Sequence, residues 1–314
     1  MKLAFVFPGQ GSQYPGMGRE FCEEYPEARE VFAAADAALD FPLSTLCFEG
    51  PKEELQKTIN TQPAVLVTSI ACLAVLRLSG VEAAAAAGHS LGEYTALVAA
   101  QALDFMTAVR LTRRRGQLLQ EAVPLGSGGM VAVLGLGRKE VEAVVQAARA
   151  HGVIEAANFN APGQVVLAGE TPALEAAVVA AKEAGAKKCV ILPVSGPFHS
   201  SLMRRAGELF ALELEKVTVK KPVFPVVANV NAGYLTTAAE VRHALVRQIS
   251  SPVLWEESIR RLVRDGVGVF VEVGPGKVLS GLIKRIAPDV ICCNVEDRAS
   301  LNTTLQVLKK AGLR

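Results

Sequence analysis

The sequence predicts an α/β fold, in which a large domain built on a mainly parallel sheet carries a small inserted domain. Three observations lead there. Apolar strand-like runs alternate with helical patterns toward both ends of the chain, as crossover-connected parallel strands require. Between residues 127 and 193 the rhythm changes to β-α-β-β-α-β, the split βαβ order. The 314 residues, 50% of them hydrophobic and 20% charged, supply apolar side chains for roughly two domains and argue against disorder.

In chain order, "KLAFVFPGQGSQ" reads as a buried strand running into a Gly-rich loop. "MGREFCEEYPEAREVFAAADAAL" and "QPAVLVTSIACLAVLRLSG" read as helices, the second apolar nearly all round and therefore buried. An alanine run then leads to "GHSLG" and the helical "LGEYTALVAAQAL". "DFMTAVRLTRRRGQLLQEAV" is a long helix with an apolar stripe that stops before Pro124 and the flexible "GSGG" at 126–129. In the insertion, "MVAVLGL" is a strand and "RKEVEAVVQAARA" a helix. "VIEAANFN" and "QVVLAGE" are strands joined by Ala161-Pro162-Gly163. "TPALEAAVVAAKEAG" is a helix with Thr171 as N-cap, Pro172 in its first turn and Gly185 as stop, and "KKCVILPV" closes the ferredoxin-like unit. These limits give a large domain of 1–126 and 194–314 around a small domain of 127–193. Beyond it, "SGPFHSSLM" opens the helix "MRRAGELFALELEKV" and "FPVVANV" is a strand. "AAEVRHALVRQISSPVLWEESIRRLVRDG" is helical with a break at Pro252. "VGVFVEVGPGKVLSGLIKRI" is strand, tight turn, helix, and "DVICCNV" is a last buried strand.

Composition narrows the function classes. A net charge of +2, with acids and bases well mixed, gives no support for non-specific nucleic-acid or membrane-surface binding. Lys187-Lys188, Arg204-Arg205, Lys220-Lys221, Arg260-Arg261 and Lys284-Arg285 read mostly as solvated faces, with a minority available to an acidic partner. The six cysteines form no C-x-x-C and no zinc-ligand spacing, so all are expected as reduced thiols and no metal site is expected. The N-terminus lacks the apolar core of a signal peptide, and no apolar run is expected to span a membrane. The expectation is a soluble, cytoplasmic protein.

The chemistry centres on Gly88-His89-Ser90-Leu91-Gly92, the G-x-S-x-G spacing. One reading is a serine inside an alanine-rich helix, since "VEAAAAAG" has high helix propensity. The other is a nucleophile elbow. Helices tolerate Gly88 and Gly92 poorly, at roughly 1 kcal/mol each, whereas a sharp strand-to-helix turn needs residues without Cβ where the backbone crosses itself. The helix that follows would point its N–H groups at the serine. A serine nucleophile needs a base. Of the four histidines, His89 sits in the elbow with its side chain diverging, and His151 and His243 read as surface residues. His199, on the Pro/Gly-rich "PVSGPFHSSLM", is the candidate. No acid lies in a telling loop between Ser90 and His199, which tilts the reading away from a standard esterase. A backbone or amide carbonyl can orient the imidazole instead.

An oxyanion hole would take the N–H of Leu91, after the serine, and a second N–H from the loop after the first strand, where Gln10 is the natural donor. That loop also fits a plain connection, and it lacks the Gly-Lys-Ser/Thr ending of a phosphate loop. In "RLTRRRGQ", consecutive arginines on a helix point in different directions, so most are solvated and one can reach inward. A buried guanidinium demands an anionic partner, which in an acyl pocket would be an acidic acyl group.

Seven segments in register carry a family likeness: "FPGQGSQYPGMG", "GHSLGEYTAL", "RRRGQLLQEAVP", "NFNAPGQVVLAG", "PVSGPFHSSLM", "LVRQISSPVLW" and "VEVGPGKVLSGLIKRI". Together, over residues 4 to about 296, the chain resembles the malonyl-CoA:acyl carrier protein transacylase family of bacterial fatty-acid synthesis. The resemblance implies an α/β-hydrolase-like large domain with a ferredoxin-like insertion. Position by position, it implies Ser90 as acylated nucleophile, His199 as its base, Gln10 and Leu91 as oxyanion donors and Arg115 as the clamp for the malonyl carboxylate. Gln248 matches the residue whose main-chain carbonyl orients the histidine, and Phe198 resembles a residue of malonyl-selective members. Asn160 and Gly163 are expected near a cleft between the two domains. The implied substrates are malonyl-CoA and acyl carrier protein, with no metal or redox cofactor, no nucleic-acid or membrane partner, and a monomeric enzyme. The alternative is a hydrolase of small acyl esters or thioesters using the same Ser90-His199 pair.

Overall fold

In the computed structural model β1 (Lys2–Phe7) lies in the middle of the larger sheet, and every residue after Lys2 is buried. Leu3, Phe5 and Phe7 enter the core on one face, while Ala4 and Val6 enter it on the other. A strand covered on both faces has to be apolar throughout, as this one is. The structure describes residues 1–124, 126–194 and 196–313; Leu125 beside the "GSGG" hinge, Ser195 in "PVSGPFH" and Arg314 lie outside the described residues.

The segment expected as a first long helix is two, α1 (Arg19–Glu24) and α2 (Pro26–Leu39). Pro26 drives the residue before it out of the helical region, and Tyr25 is extended at φ −121°, ψ 120°. Two short helices follow that the sequence reading did not anticipate, α3 (Leu43–Glu49) and α4 (Lys52–Gln56). α5 (Thr58–Leu78) corrects another expectation. At 21 residues and a mean hydropathy of 1.7 it is long and apolar enough to cross a membrane, but 89% of that window is buried inside the fold. Next come β2 (Ala85–Gly88), α6 (Gly92–Ala99) and α7 (Phe105–Glu121).

The chain then builds a separate sheet from β3 (Gly128–Leu134), β4 (Ile154–Ala161), β5 (Gln164–Glu170) and β6 (Lys188–Ile191), with α8 (Arg138–Ala148) after β3 and α9 (Thr171–Glu183) after β5. Its order is β4-β5-β3-β6 and every pair is antiparallel, the arrangement that a β-α-β-β-α-β chain reaches by two split crossovers. The helix α9 starts one residue earlier than expected: Glu170 is its N-cap and Thr171 its first residue. Val131, Val133, Val141 and Leu167 form a core under these helices. Met130, Ala132, Val166 and Ala168, on the opposite face, join the core of the large sheet.

The remainder is α10 (Arg204–Glu215), β7 (Val226–Val227), β8 (Tyr234–Leu235), α11 (Ala238–Gln248), α12 (Trp255–Arg264), β9 (Val267–Val273), α13 (Val278–Ile286), β10 (Ile291–Val295) and α14 (Arg298–Lys310). The large sheet runs β10-β9-β1-β2-β7-β8, parallel as far as β7, with β8 added antiparallel at one edge. β10 is the opposite edge, so Cys292 and Cys293 are half-buried rather than buried. All six cysteines are free thiols. β4 of the small sheet is tied to the loop before α12, where the Phe159 N–H donates to the Val253 carbonyl at 2.9 Å and the Val253 N–H donates to the Ala157 carbonyl at 2.9 Å.

Candidate active site

The alanine run is strand, not helix. Ala85–Gly88 pair with Ala4–Phe7 of β1 on one side, and Ala86 and Ala87 pair with β7 on the other. Two neighbours satisfying its backbone groups outweigh the modest helix preference of alanine. The strand turns into α6 through Ser90, which sits in the left-handed region at φ 49°. Such a conformation in a non-glycine residue costs of order 1–3 kcal/mol and persists only where surroundings over-determine it. Here they do. The Ser90 N–H donates to Asn229 Oδ1 at 2.7 Å, Asn229 Nδ2 donates to the Gly88 carbonyl at 2.7 Å, and Gln248 Nε2 donates to the Ser90 carbonyl at 2.9 Å. The flanking glycines are steric necessities. A Cβ on Gly88 would lie 1.9 Å from Gly92 backbone, and one on Gly92 would lie 2.1 Å from the Phe7 carbonyl oxygen.

His199 comes from the return crossing between the sheets and is also left-handed, at φ 61°. Its Nε2 lies 2.7 Å from Ser90 Oγ and its Nδ1 lies 2.8 Å from the Gln248 carbonyl oxygen. A carbonyl can only accept, so Nδ1 carries the proton and Nε2 presents its lone pair to the serine hydroxyl. Burial, then the nearby positive Arg115, pushes the His199 pKa down to about 3, against a smaller opposing pull from the Gln248 carbonyl. The imidazole is therefore neutral at physiological pH and able to take a proton.

Arg115 is buried on α7, with 1% of its surface exposed. Its two terminal nitrogens donate to Gln62 Oε1 at 2.8 Å and Gln248 Oε1 at 2.9 Å, and the second also reaches Ser90 Oγ at 3.3 Å. The guanidinium lies 5.4 Å from the Tyr94 ring centroid. Among the described residues it makes no ion pair. Its neighbours in the run face elsewhere: Arg113 stacks over Phe41 at 4.6 Å, and Arg114 pairs with Glu213 of α10 at 3.2 Å.

Ser90, His199, Arg115 and Gln62 line a cleft with a cavity volume of about 210 Å³ between the two sheets. Gln10, Leu91, Asn160 and Phe198 line it as well, together with Met130 and Val166 from the small sheet and Leu279 and Leu282 from α13. The backbone N–H groups of Gln10 and Leu91 have no protein acceptor among the described residues, while the Gln10 side chain is anchored on Thr58 Oγ1 at 3.2 Å. Gly163 is not part of the cleft lining. It makes the β4–β5 turn at φ 70°, its carbonyl accepting from Gly135 N–H, and Gln164 beside it reaches the cleft instead. His151 and His243 are exposed.

Four contributors were missed by sequence reasoning. Asn229 and Gln62 are lone amides far along the chain from their partners, and nothing local marks them. His89 turns toward the small sheet, where its Nε2 lies 2.8 Å from Asn160 Oδ1 and its ring packs edge-on against Trp255. Glu93, the second residue of α6, is fully buried. Its Oε2 accepts from Gln248 Nε2 at 2.8 Å and from the Asn229 N–H at 3.1 Å. Burial pushes its carboxyl up to about 7, while the Gln248 and Asn229 hydrogen bonds and the Arg115 charge pull the other way. Its place three residues after the serine was the one available signal.

Comparison with known proteins identifies the family. The acyl transferase domain family matches residues 4–297. The chain is 46% identical over 310 residues to the malonyl CoA-acyl carrier protein transacylase of Bacillus subtilis, covering 98% of each. It is 46% identical over 307 residues to the Escherichia coli K12 protein of the same name, covering 98% of this chain and 99% of that one. The crystal structure of malonyl CoA-acyl carrier protein transacylase from Clostridium perfringens superposes with a TM-score of 0.96 at 41% identity, covering 100% of this chain and 99% of that one. A malonyl-transacylase solved in complex with its type II PKS acyl-carrier protein superposes with a TM-score of 0.95 at 44% identity, covering 98% of this chain and 100% of that one. The chain belongs to the acyl transferase domain family and, within it, to the malonyl CoA-acyl carrier protein transacylases.

Proposed function

We propose that the chain transfers the malonyl group of malonyl-CoA to the phosphopantetheine thiol of acyl carrier protein, through a malonyl-Ser90 intermediate. The observation that carries this is one chain of contacts: Ser90 Oγ to His199 Nε2 at 2.7 Å, with the Arg115 guanidinium 3.3 Å from the same oxygen. His199 takes the hydroxyl proton as Ser90 Oγ attacks the thioester carbonyl. The resulting oxyanion sits between the Gln10 and Leu91 N–H groups. Collapse breaks the carbon–sulfur bond, and the departing coenzyme A thiolate takes the proton from His199. In the second half the carrier thiol gives its proton to His199 and attacks the ester, and Ser90 leaves with that proton. Each proton has a place on His199, so we assign no metal or redox cofactor.

A malonyl carboxylate carbon is three bonds from Oγ, within reach of Arg115, whose planar fork suits a carboxylate. An acyl group without that carboxylate leaves the buried charge unanswered, which is the basis proposed for selectivity. We take 127–193 as the inserted domain, supported by its separate sheet, and its face as one wall of the cleft. A hydrolase would use the same serine and histidine, and the fate of the malonyl-enzyme separates the two. Isolated malonyl-enzyme should persist in buffer and discharge on adding holo acyl carrier protein. Hydrolysis that outpaces transfer would contradict the proposal.

A further inference from the structure

Among the described residues Arg115 is a buried cation without a contacting anion, and Glu93 a buried acid without a contacting cation. One amide joins them. The Gln248 side chain accepts from Arg115 through Oε1 at 2.9 Å and donates to Glu93 through Nε2 at 2.8 Å, so its oxygen faces the cation and its N–H faces the acid. Nothing in the proposed acyl transfer uses Glu93. We infer that Glu93 is the relayed counter-ion of Arg115, a positioning residue that sets how strongly the guanidinium takes an acidic acyl group. This inference rests on the reading of Arg115 as the carboxylate clamp.

The arrangement has a physical rationale. A carboxylate in direct contact would occupy the guanidinium fork and compete with the substrate. No counter-ion at all would leave a desolvated charge in the core. A carboxylate held one amide away balances the charge in part and leaves donors over: Arg115 Nε has no protein partner among the described residues. The same amide holds the Ser90 carbonyl, and its own main-chain carbonyl holds His199, so Gln248 ties the clamp to the base.

Glu93→Gln separates the electrostatic role from a structural one, because the new amide oxygen can still accept from Gln248 and Asn229 while the charge is gone. The readout is the Kd of malonyl-CoA and of acetyl-CoA for Ser90→Ala protein with and without Glu93→Gln, at pH 8, where the Glu93 carboxyl is ionised. Loss of a unit charge about 12 Å from the malonyl carboxylate, at an effective dielectric near 20, corresponds to about tenfold. Malonyl-CoA should bind about tenfold tighter in the double variant, with acetyl-CoA unchanged. An unchanged or weaker malonyl-CoA affinity, or an equal change for both ligands, overturns the relay. Arg115→Ala in the same background tests the underlying reading: if it fails to weaken malonyl-CoA selectively, the clamp fails and the relay with it. If it does weaken malonyl-CoA selectively but Glu93→Gln fails to tighten malonyl-CoA selectively, only the relay falls. Should Glu93→Gln unfold, Glu93→Gln/Arg115→Met removes both charges and should recover the lost Tm. A double variant as unstable as the single one also overturns the relay.

Discussion

Replacing Arg115 by alanine should split two activities that share every other residue. On the proposed mechanism, malonyl and acetyl transfer would use the same Ser90, the same His199 and the same two oxyanion donors, and would differ in a carboxylate. Arg115 is buried, makes no ion pair among the described residues, and is held by the neutral Gln62 and Gln248 oxygens at 2.8 and 2.9 Å, so its charge is available to the substrate. Removing one member of a desolvated charge pair costs roughly 2–5 kcal/mol, or about one and a half to three and a half decades in rate constant. Alanine also strands two glutamine oxygens, an effect common to both substrates and worth about threefold if water replaces the donor. Malonyl kcat/KM should therefore fall about one and a half to three and a half decades, and acetyl kcat/KM should stay within about threefold or rise. Lysine should rescue malonyl transfer only in part, because an ammonium cannot reproduce the fork. Arg113→Ala and Arg114→Ala are the controls, since those side chains lie on Phe41 and Glu213. The assay is the transfer rate of both acyl groups to holo carrier protein for each variant. Equal loss of the two activities in Arg115→Ala would refute the clamp.

His199→Ala should slow single-turnover acylation by about two to four orders of magnitude with folding intact by circular dichroism; a rate near wild type would place the base elsewhere. Because the His199 pKa is pushed down to about 3, only ~0.1% of the imidazole is protonated at pH 6, so acylation at saturating malonyl-CoA should be flat from pH 8 to pH 5. An unperturbed histidine, with pKa ≈ 6.5, would instead lose about fourfold by pH 6, and that loss would contradict the assigned environment. Gly92→Ala drives a Cβ to 2.1 Å from the Phe7 carbonyl oxygen and should cost about 3 kcal/mol or more in urea unfolding, whereas a cost below about 1 kcal/mol would show that the elbow relaxes easily.

The elbow was legible because its constraint is local. Two glycines bracket a serine at the spacing where the backbone crosses itself, and no helix gains from that spacing. The alanine strand beside it was not legible from propensity, because β1 and β7, distant in sequence, decide its conformation. The inserted sheet showed itself through its change of rhythm. The short helices α3 and α4 left no periodic stripe long enough to notice. α14 did carry a readable signal that went unused, a capping box at Asp297 and Ser300 before Leu301, Leu305 and Leu308. In the site, the sequence marked Ser90 and His199 by loop chemistry and showed only that one arginine of the run could turn inward. Resemblance selected Arg115, and the helix places it there. Asn229, Gln62 and the Gln248 side chain could not be found in advance, because each acts through a partner between 53 and 158 residues away.

The central claim is that the acyl group travels on Ser90, and one measurement meets it directly. The intact protein is incubated with malonyl-CoA at neutral pH, weighed by mass spectrometry, and digested to map the modified peptide, alongside Ser90→Ala. The account predicts one malonyl group per chain, carried within "GHSLGEYTAL", removed by holo acyl carrier protein and absent from Ser90→Ala. Malonylation at another residue, or label retained by Ser90→Ala, would contradict it.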